Sequence, residues 1–142
     1  MTHAEHSAGG QTIIGVALAL CVIACWVTTH ITALFLGTTP TGMAAVMLVL
    51  LQCWLNVGLF IIAHDCMHGS LAPGWLRFNT GVGTLCLYLY AGFSYAKLCP
   101  EHYRHHANPG TADDPDFCVT HSTQVIPWYI SFVRYYFGLR EF

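Results

Sequence analysis

Two long runs of uncharged, mainly apolar residues occupy the first half of the chain. Residues 11–36 give 26 consecutive uncharged positions, and residues 43–63 give another 21. At about 1.5 Å of rise per residue, a helix over either run can cross a hydrocarbon core of about 30 Å. Both are therefore predicted to be transmembrane helices, and the short turn at 37–42 predicts an antiparallel hairpin. Residues 1–10 are predicted to be a flexible polar tail.

A third apolar stretch, residues 80–98, lies between two histidine clusters at 64–68 and 102–106. If the two clusters share one site, this stretch must begin and end at the same membrane face. Its 19 residues are long enough for only one crossing. We therefore predict an interfacial or re-entrant helical segment, whose glycines allow close packing against the hairpin.

The last third of the chain is predicted to form a helix, a loop and an aromatic segment. The helix that carries the second cluster is expected to begin at Pro100, because proline is favoured in a first turn, and to end at 108–110. A polar, acidic loop follows at 111–122. Residues 125–137 combine six aromatic side chains with one arginine, a mixture typical of the headgroup boundary of a membrane.

Composition supports an all-α integral membrane protein. Charged residues make up 8% of the chain, against roughly 25% in a soluble domain, and the mean hydropathy is +0.53. The net charge of -2 includes no basic run, so no nucleic-acid partner is expected. All five Lys and Arg residues follow the second span and the turn has none, which predicts that the histidine side faces the cytoplasm. The seven cysteines lack a C-x-x-C pair and are predicted to be free thiols.

The histidine spacing predicts a metal site. His64 and His68 are four residues apart and so share one face of a helix. The three histidines of the second cluster also share one face of their helix, and Arg104 lies on the opposite side. Imidazole ligands without paired thiolates suit iron, zinc, copper or nickel better than magnesium or calcium. The predicted ligands are His64, His68, His102, His105 and His106.

Several acidic residues lie close to these clusters. Asp65 either orients a ligand imidazole without touching the metal or caps the helix. Asp113, Asp114 and Asp116 either act in an outer shell of the site or form a solvated turn built on Asp-Pro.

Other functions are also compatible with parts of the pattern. H-x-x-x-H resembles the zinc-protease motif H-E-x-x-H, but Asp65 replaces the glutamate and three further histidines are left over. A haem carrier with His30 and His64 as axial ligands leaves the second cluster unexplained. A non-catalytic membrane subunit is the third alternative. Gln52 and Asn56, inside the second span, are predicted to form interhelical hydrogen bonds.

Four segments resemble the bacterial beta-carotene ketolases of the membrane fatty acid desaturase/hydroxylase superfamily. The histidine pattern indicates the superfamily, and the acidic and C-terminal segments resemble the ketolases in particular. The segments are His-Asp-Cys-Met-His-Gly-Ser-Leu-Ala-Pro-Gly at 64–74, Leu-Tyr-Ala-Gly-Phe at 89–93, Gly-Thr-Ala-Asp-Asp-Pro-Asp-Phe at 110–117 and Tyr-Phe-Gly-Leu-Arg-Glu at 136–141.

The resemblance implies a non-haem di-iron oxygenase that uses O2 to convert the C4 methylene of a beta-ionone ring of beta-carotene to a ketone, as in canthaxanthin and astaxanthin biosynthesis. It implies that the five histidines of the two clusters bind Fe(2+). It also implies a carotenoid dissolved in the bacterial inner membrane as substrate and a separate, ferredoxin-like electron donor. A carotenoid hydroxylase or a fatty acyl desaturase of the same superfamily remains the alternative.

The family has a third histidine motif, of H-x-x-H-H type, that this sequence does not contain before Phe142. Five histidines are fewer than the family uses to hold two irons. We therefore expect residues 11–142 to be the N-terminal part of a desaturase-like membrane domain, with little activity on their own.

Overall fold

The structure is a computed structural model that describes residues 3–35, 41–121 and 123–137, with side chains described over 9–35, 41–120 and 123–137. Within these ranges all regular structure is helical, which confirms the predicted all-α class. The described residues belong to two compact units, Met1–Ala91 and Gly92–Phe142. The helices are α1 (His3–Phe35), α2 (Met43–Met67), α3 (Leu76–Ala91), α4 (Tyr95–Ala107), a single 3-10 turn (Val119–His121) and α5 (Val125–Tyr136).

α1 and α2 are long and apolar enough to cross a membrane, over Gly9–Phe35 and Met43–Met67, and both have a mean hydropathy of 2.3. They run antiparallel, because two residues of α1 bond two residues of α2 in reverse order along the chain. His30 bonds Gln52 at 2.9 Å, and the Trp26 indole donates to the Asn56 side-chain oxygen at 2.6 Å. The predicted interhelical hydrogen bonds of Gln52 and Asn56 are thus confirmed.

The helix ends differ from the predicted spans. α1 already begins at His3, inside the segment predicted to be a flexible tail, and residues 3–10 contain no proline that would prevent a helix there. α2 continues to Met67, four residues beyond the predicted end, so His64 lies in its last turn. The predicted turn at 37–42 lies outside the described residues except for its last two positions, and Gly42 has a φ of 60°.

α3 packs antiparallel against the second half of α2. The Phe60 and Tyr90 rings lie 5.4 Å apart between centroids, while Asn79, near the start of α3, bonds the loop that follows α2. The side chains of Leu59 and Leu87 are fully buried in the core of this unit. With 16 residues α3 is about 24 Å long, shorter than a hydrocarbon core of about 30 Å.

The segment predicted at 80–98 is divided between two helices. Gly92 has a φ of 74°, a left-handed conformation that ends α3 and that glycine adopts without strain. α4 then begins at Tyr95, so the prediction that this helix starts at Pro100 is wrong and Pro100 lies inside it. The helix starts five residues earlier because Ser94, in extended conformation, is its N-cap, and the Ser94 carbonyl accepts the Lys97 and Leu98 N–H groups at 3.2 and 2.9 Å. The predicted end at 108–110 is confirmed, because Asn108 is the C-cap.

Candidate metal centre

The first histidine pair lies at the C-terminal end of α2. His64 is in the last turn, His68 is the C-cap, and their ring centroids are 4.7 Å apart. The helical spacing therefore does bring the two imidazoles side by side. Asp65 Oδ1 lies 3.6 Å from His64 Nδ1, which is longer than a hydrogen bond. This contact is an ion pair at most and does not by itself fix the ring.

The loop that follows His68 is held by a buried amide. The Asn79 side chain is 1% exposed, accepts a hydrogen bond from the Ala72 N–H at 3.2 Å and donates to the Ala72 carbonyl at 2.7 Å and the Trp75 carbonyl at 3.0 Å. Sequence reasoning missed this residue. Its only signal is an amide side chain next to an apolar stretch.

α1 also contacts this loop. The Gln11 side chain donates to the Ser70 carbonyl at 2.9 Å. A Cβ on Gly15 would lie 2.7 Å from the Leu71 carbonyl oxygen, so only glycine allows the backbones to approach this closely. The start of the first apolar helix thus supports the chain just beyond the first histidine pair.

The second cluster lies on α4. The ring centroids of His102 and His106 are 4.5 Å apart, and those of His105 and His106 are 5.7 Å apart. Arg104 instead forms an ion pair with Glu101 at 2.8 Å and donates to the Tyr135 hydroxyl at 2.9 Å. The predicted separation of the histidines from Arg104 is therefore present in the structure.

A buried carboxylate binds His105. Its Nδ1 lies 2.8 Å from Asp114 Oδ1, and Asp114 is 5% exposed. Asp114 also accepts the Gly110 N–H at 2.7 Å and the Asp116 N–H at 2.9 Å. With Nδ1 engaged in this way, the nitrogen that His105 can offer to a metal is Nε2. Of the two interpretations left open for the acidic loop, this geometry favours the outer-shell role for Asp114.

His105 and Asp114 each shift the pKa of the other in the direction that favours the charged form. The hydrogen bond to Asp114 raises the pKa of His105 above its ordinary value. Burial of Asp114 tends to raise the pKa of its carboxyl, but the hydrogen bonds from Gly110, His105 and Asp116 outweigh burial and the pKa is lowered. Asp114 therefore remains a carboxylate, as a group that orients a ligand imidazole must.

Helix α5 bonds the acidic loop. The Trp128 indole donates to the Asp116 carbonyl at 2.8 Å, and the Tyr136 hydroxyl donates to Asp116 Oδ1. The sequence predicted this aromatic segment as a membrane-interface element. Val125 and Ile126 are 76% and 73% exposed, which is apolar surface of the kind such an element has. The polar groups of Trp128 and Tyr136 also have a structural role, because they hold the acidic loop.

Cys66 and His30 have packing roles. Cys66 is 1% exposed and lies in the core beside α3, and no disulfide joins any of the seven cysteines, which all lie within the described ranges, in keeping with the prediction of thiols. His30 stacks on Trp26, with centroids 4.5 Å apart, in addition to its bond with Gln52. These two contacts give His30 a packing role, since the ring stacks within α1 and its Nδ1 bonds α2.

Comparison with known proteins identifies the family. The profile of the Fatty acid desaturase family matches residues 38–142. The chain belongs to this family. Members are membrane-bound, in agreement with the two apolar helices of this desaturase-family chain. No solved structure matches it.

Relatives of this desaturase-family chain include carotenoid ketolases, which confirms the resemblance. The beta-carotene ketolase of Paracoccus sp. (strain PC1) is 47% identical over 133 residues, which cover 93% of this chain and 54% of the relative. That of Paracoccus sp. (strain N81106 / MBIC 01143) is 49% identical over 121 residues, covering 84% and 49%. The zeaxanthin 4-ketolase of Chlamydomonas reinhardtii is 34% identical over 139 residues, covering 90% and 31%. The chain spans about half the length of the Paracoccus relatives it matches.

Proposed function

We propose that this protein is a non-haem di-iron membrane oxygenase that converts the C4 methylene of a beta-ionone ring of beta-carotene to a ketone. The observation that carries the proposal is the 47% identity to a beta-carotene ketolase over 93% of the chain. Two hydroxylations at one carbon give a geminal diol, which loses water to leave the ketone. Each methylene oxidised in this way consumes two molecules of O2, four electrons and four protons, and three molecules of water are released.

The donor set suits iron. Imidazole nitrogens are suitable ligands for iron, and an iron centre held by them would supply the O2 activation that attack on an unreactive C–H bond requires. Asp114 holds the His105 ring through Nδ1, which would leave Nε2 to bind the metal. The proposal requires the histidines of α2 and α4 to serve one centre. The proposed Fe(2+) ligands are His64, His68, His102, His105 and His106.

The two apolar helices support a placement in the membrane. We propose that α1 and α2 span the bilayer, that α3 is re-entrant beside α2, and that the histidine-bearing ends lie at the cytoplasmic face of a bacterial inner membrane. A carotenoid can then reach the site laterally from the bilayer. Electrons come from a separate, ferredoxin-like donor on the aqueous side.

A hydroxylated ring is the second candidate substrate. The 34% identity to a zeaxanthin 4-ketolase favours it, because the name of that relative specifies a carotenoid that already has ring hydroxyls. The reaction at C4 would be the same, and the difference would lie in how the site accommodates the hydroxyl group on the neighbouring carbon.

Product analysis tests the proposal. The protein is expressed from its full reading frame in one bacterial host that accumulates beta-carotene and in another that accumulates zeaxanthin. We expect ketones with red-shifted absorption, formed faster from beta-carotene. His105→Ala should abolish ketone formation, whereas His6→Ala, a histidine outside both clusters, should not reduce it.

Other products would redirect or refute the proposal. Hydroxylated carotenoids without ketones, or new double bonds in fatty acyl chains, would assign the protein to another activity of its family. Unchanged pigments and lipids, with the protein present in the membrane, would refute an oxygenase of either kind.

A further inference from the structure

We infer that helix α5 positions the metal ligand His105, with Tyr136 fixing Asp116 at a 3.5 Å contact beside the imidazole that Asp114 orients, so that Asp116 does not replace Asp114. The inference rests on the proposed function, because it takes His105 to be a metal ligand. It assigns to Tyr136 and Asp116 a role that neither the histidine spacing nor the family membership specifies.

Asp116 connects α5 to the Asp114–His105 pair. Its backbone N–H donates to Asp114 Oδ1 at 2.9 Å, and its carbonyl accepts the Trp128 indole N–H at 2.8 Å. Its side chain accepts the Tyr136 hydroxyl through Oδ1. A displacement of Asp116 would therefore be transmitted to the carboxylate that holds the imidazole.

Two carboxylates lie within reach of one imidazole N–H. Asp114 Oδ1 is 2.8 Å from His105 Nδ1, and Asp116 Oδ2 is 3.5 Å from it. The hydrogen bond from Tyr136 holds Asp116 by its other oxygen. Without that bond, Asp116 can rotate towards the ring or offer its charge to the metal, and either change alters how the metal is held.

Tyr136 is suited to this role by its surroundings. It is 9% exposed, so water competes little for its hydroxyl. Burial and the bond to Asp116 raise its pKa, and the hydroxyl therefore stays protonated and donates. The ring is also packed against Phe132, at 4.8 Å between centroids, which leaves it little freedom to turn away.

The chain contains a matched control in the adjacent residue of the same helix. The Tyr135 hydroxyl donates to Glu101 at 2.7 Å and accepts from Arg104 at 2.9 Å. Tyr135→Phe and Tyr136→Phe thus remove the same chemical group from neighbouring positions. Only the second substitution removes a bond to Asp116.

The test measures metal release from purified protein. The protein, expressed from its full reading frame, is loaded anaerobically with Co(II), whose visible bands report ligand geometry, and release to a chelator is timed. Tyr136→Phe should release Co(II) about tenfold faster than wild type with altered bands, as loss of an outer-shell partner does. Tyr135→Phe should stay within about twofold of wild type, since it leaves the outer shell intact.

A double variant separates positioning from simple structural support. If the hydroxyl restrains the charge of Asp116, then Asp116→Asn combined with Tyr136→Phe should release Co(II) more slowly than Tyr136→Phe alone. If Tyr136 merely stabilises the fold, the second substitution cannot restore retention. Thermal unfolding of the metal-free variants shows whether either tyrosine change destabilises the fold more than the other.

The outcomes are distinct from those for the proposed function. This inference would be overturned, and the metal site would still be supported, if wild type retains Co(II), His105→Ala loses it, and the two tyrosine variants release it at equal rates. Release from the double variant as fast as from Tyr136→Phe would overturn it as well. Wild type that binds no Co(II) would overturn the proposed function and this inference together.

Discussion

The buried carboxylate of Asp114 bonds Nδ1 of His105, so that Nε2 is the nitrogen this histidine can offer to a metal. It accepts the His105 N–H together with two backbone N–H groups, and these three bonds leave its oxygens little freedom to move. In the proposed centre, Asp114 would act on the metal without touching it, by fixing the tautomer and the plane of the imidazole.

Replacing this carboxylate should weaken metal binding. Asp114→Asn keeps the volume but removes the charge, and we expect the affinity for Fe(II) to fall by about 10- to 100-fold. Equilibrium dialysis of the purified variant against buffered Fe(II) measures the change. Asp113→Asn is the matched control, because Asp113 is exposed in the same loop. Equal affinities for the two variants would show that Asp114 does not orient a ligand.

Asn79 contributes to the stability of the fold, because it holds the loop that follows α2. Asn79→Ala leaves the N–H and carbonyl of Ala72 without their buried partner, which should destabilise the protein by about 1–3 kcal/mol. Unfolding in mixed detergent micelles measures the loss. Thr84→Ala, on the exposed side of the same helix, should have little effect. A stability of Asn79→Ala equal to that of Thr84→Ala would argue against a role for Asn79 in holding the loop.

Residue identities in the site were only partly predictable. Helical spacing was enough to predict that His64 lies beside His68, because four residues make about one turn. Spacing could not choose among Asp113, Asp114 and Asp116, since the choice depends on the fold of a loop whose bonds come from a glycine N–H and from α5.

At the scale of elements, the contact between α1 and the loop after His68 has no room for a side chain larger than that of glycine at position 15. Gly15→Ala places a Cβ 2.7 Å from a backbone oxygen of Leu71, which cannot move as a side chain tip would. We expect a loss of about 1–3 kcal/mol in stability. Faster proteolysis within residues 69–75 should accompany it.

The control for this prediction is another helical glycine. A Cβ on Gly81 meets nothing within 4 Å, so Gly81→Ala should be neutral or stabilise α3 by up to about 1 kcal/mol. If both alanine variants unfold alike, the close approach at Gly15 is not a determinant of stability.

The sequence was sufficient to predict which segments form helices, but not where each helix begins and ends. Length and hydropathy predicted α1 and α2, because few structures other than a spanning helix use so many consecutive uncharged residues. The break at Gly92 was missed, since glycine in an apolar stretch is equally compatible with close helix packing. The predicted start of α4 at Pro100 was wrong, because a proline inside a helix is uncommon but tolerated.

At the scale of the whole molecule, the proposed topology has a direct consequence for accessibility. Thr41 belongs to the connection between the two spans, and Thr111 follows the second histidine cluster. Thr41→Cys should react with a membrane-impermeant maleimide on intact cells, after removal of the outer membrane barrier. Thr111→Cys should react only after lysis. The reverse pattern would contradict a cytoplasmic histidine side.

Iron bound by the two histidine clusters is the central claim for the molecule as a whole. The most direct measurement is the metal content of protein expressed from its full reading frame and purified anaerobically. We predict that the wild-type protein contains iron, and that this iron is lost in His105→Ala and retained in His6→Ala. Wild-type protein that is folded but free of iron, or that holds zinc alone, would contradict the claim.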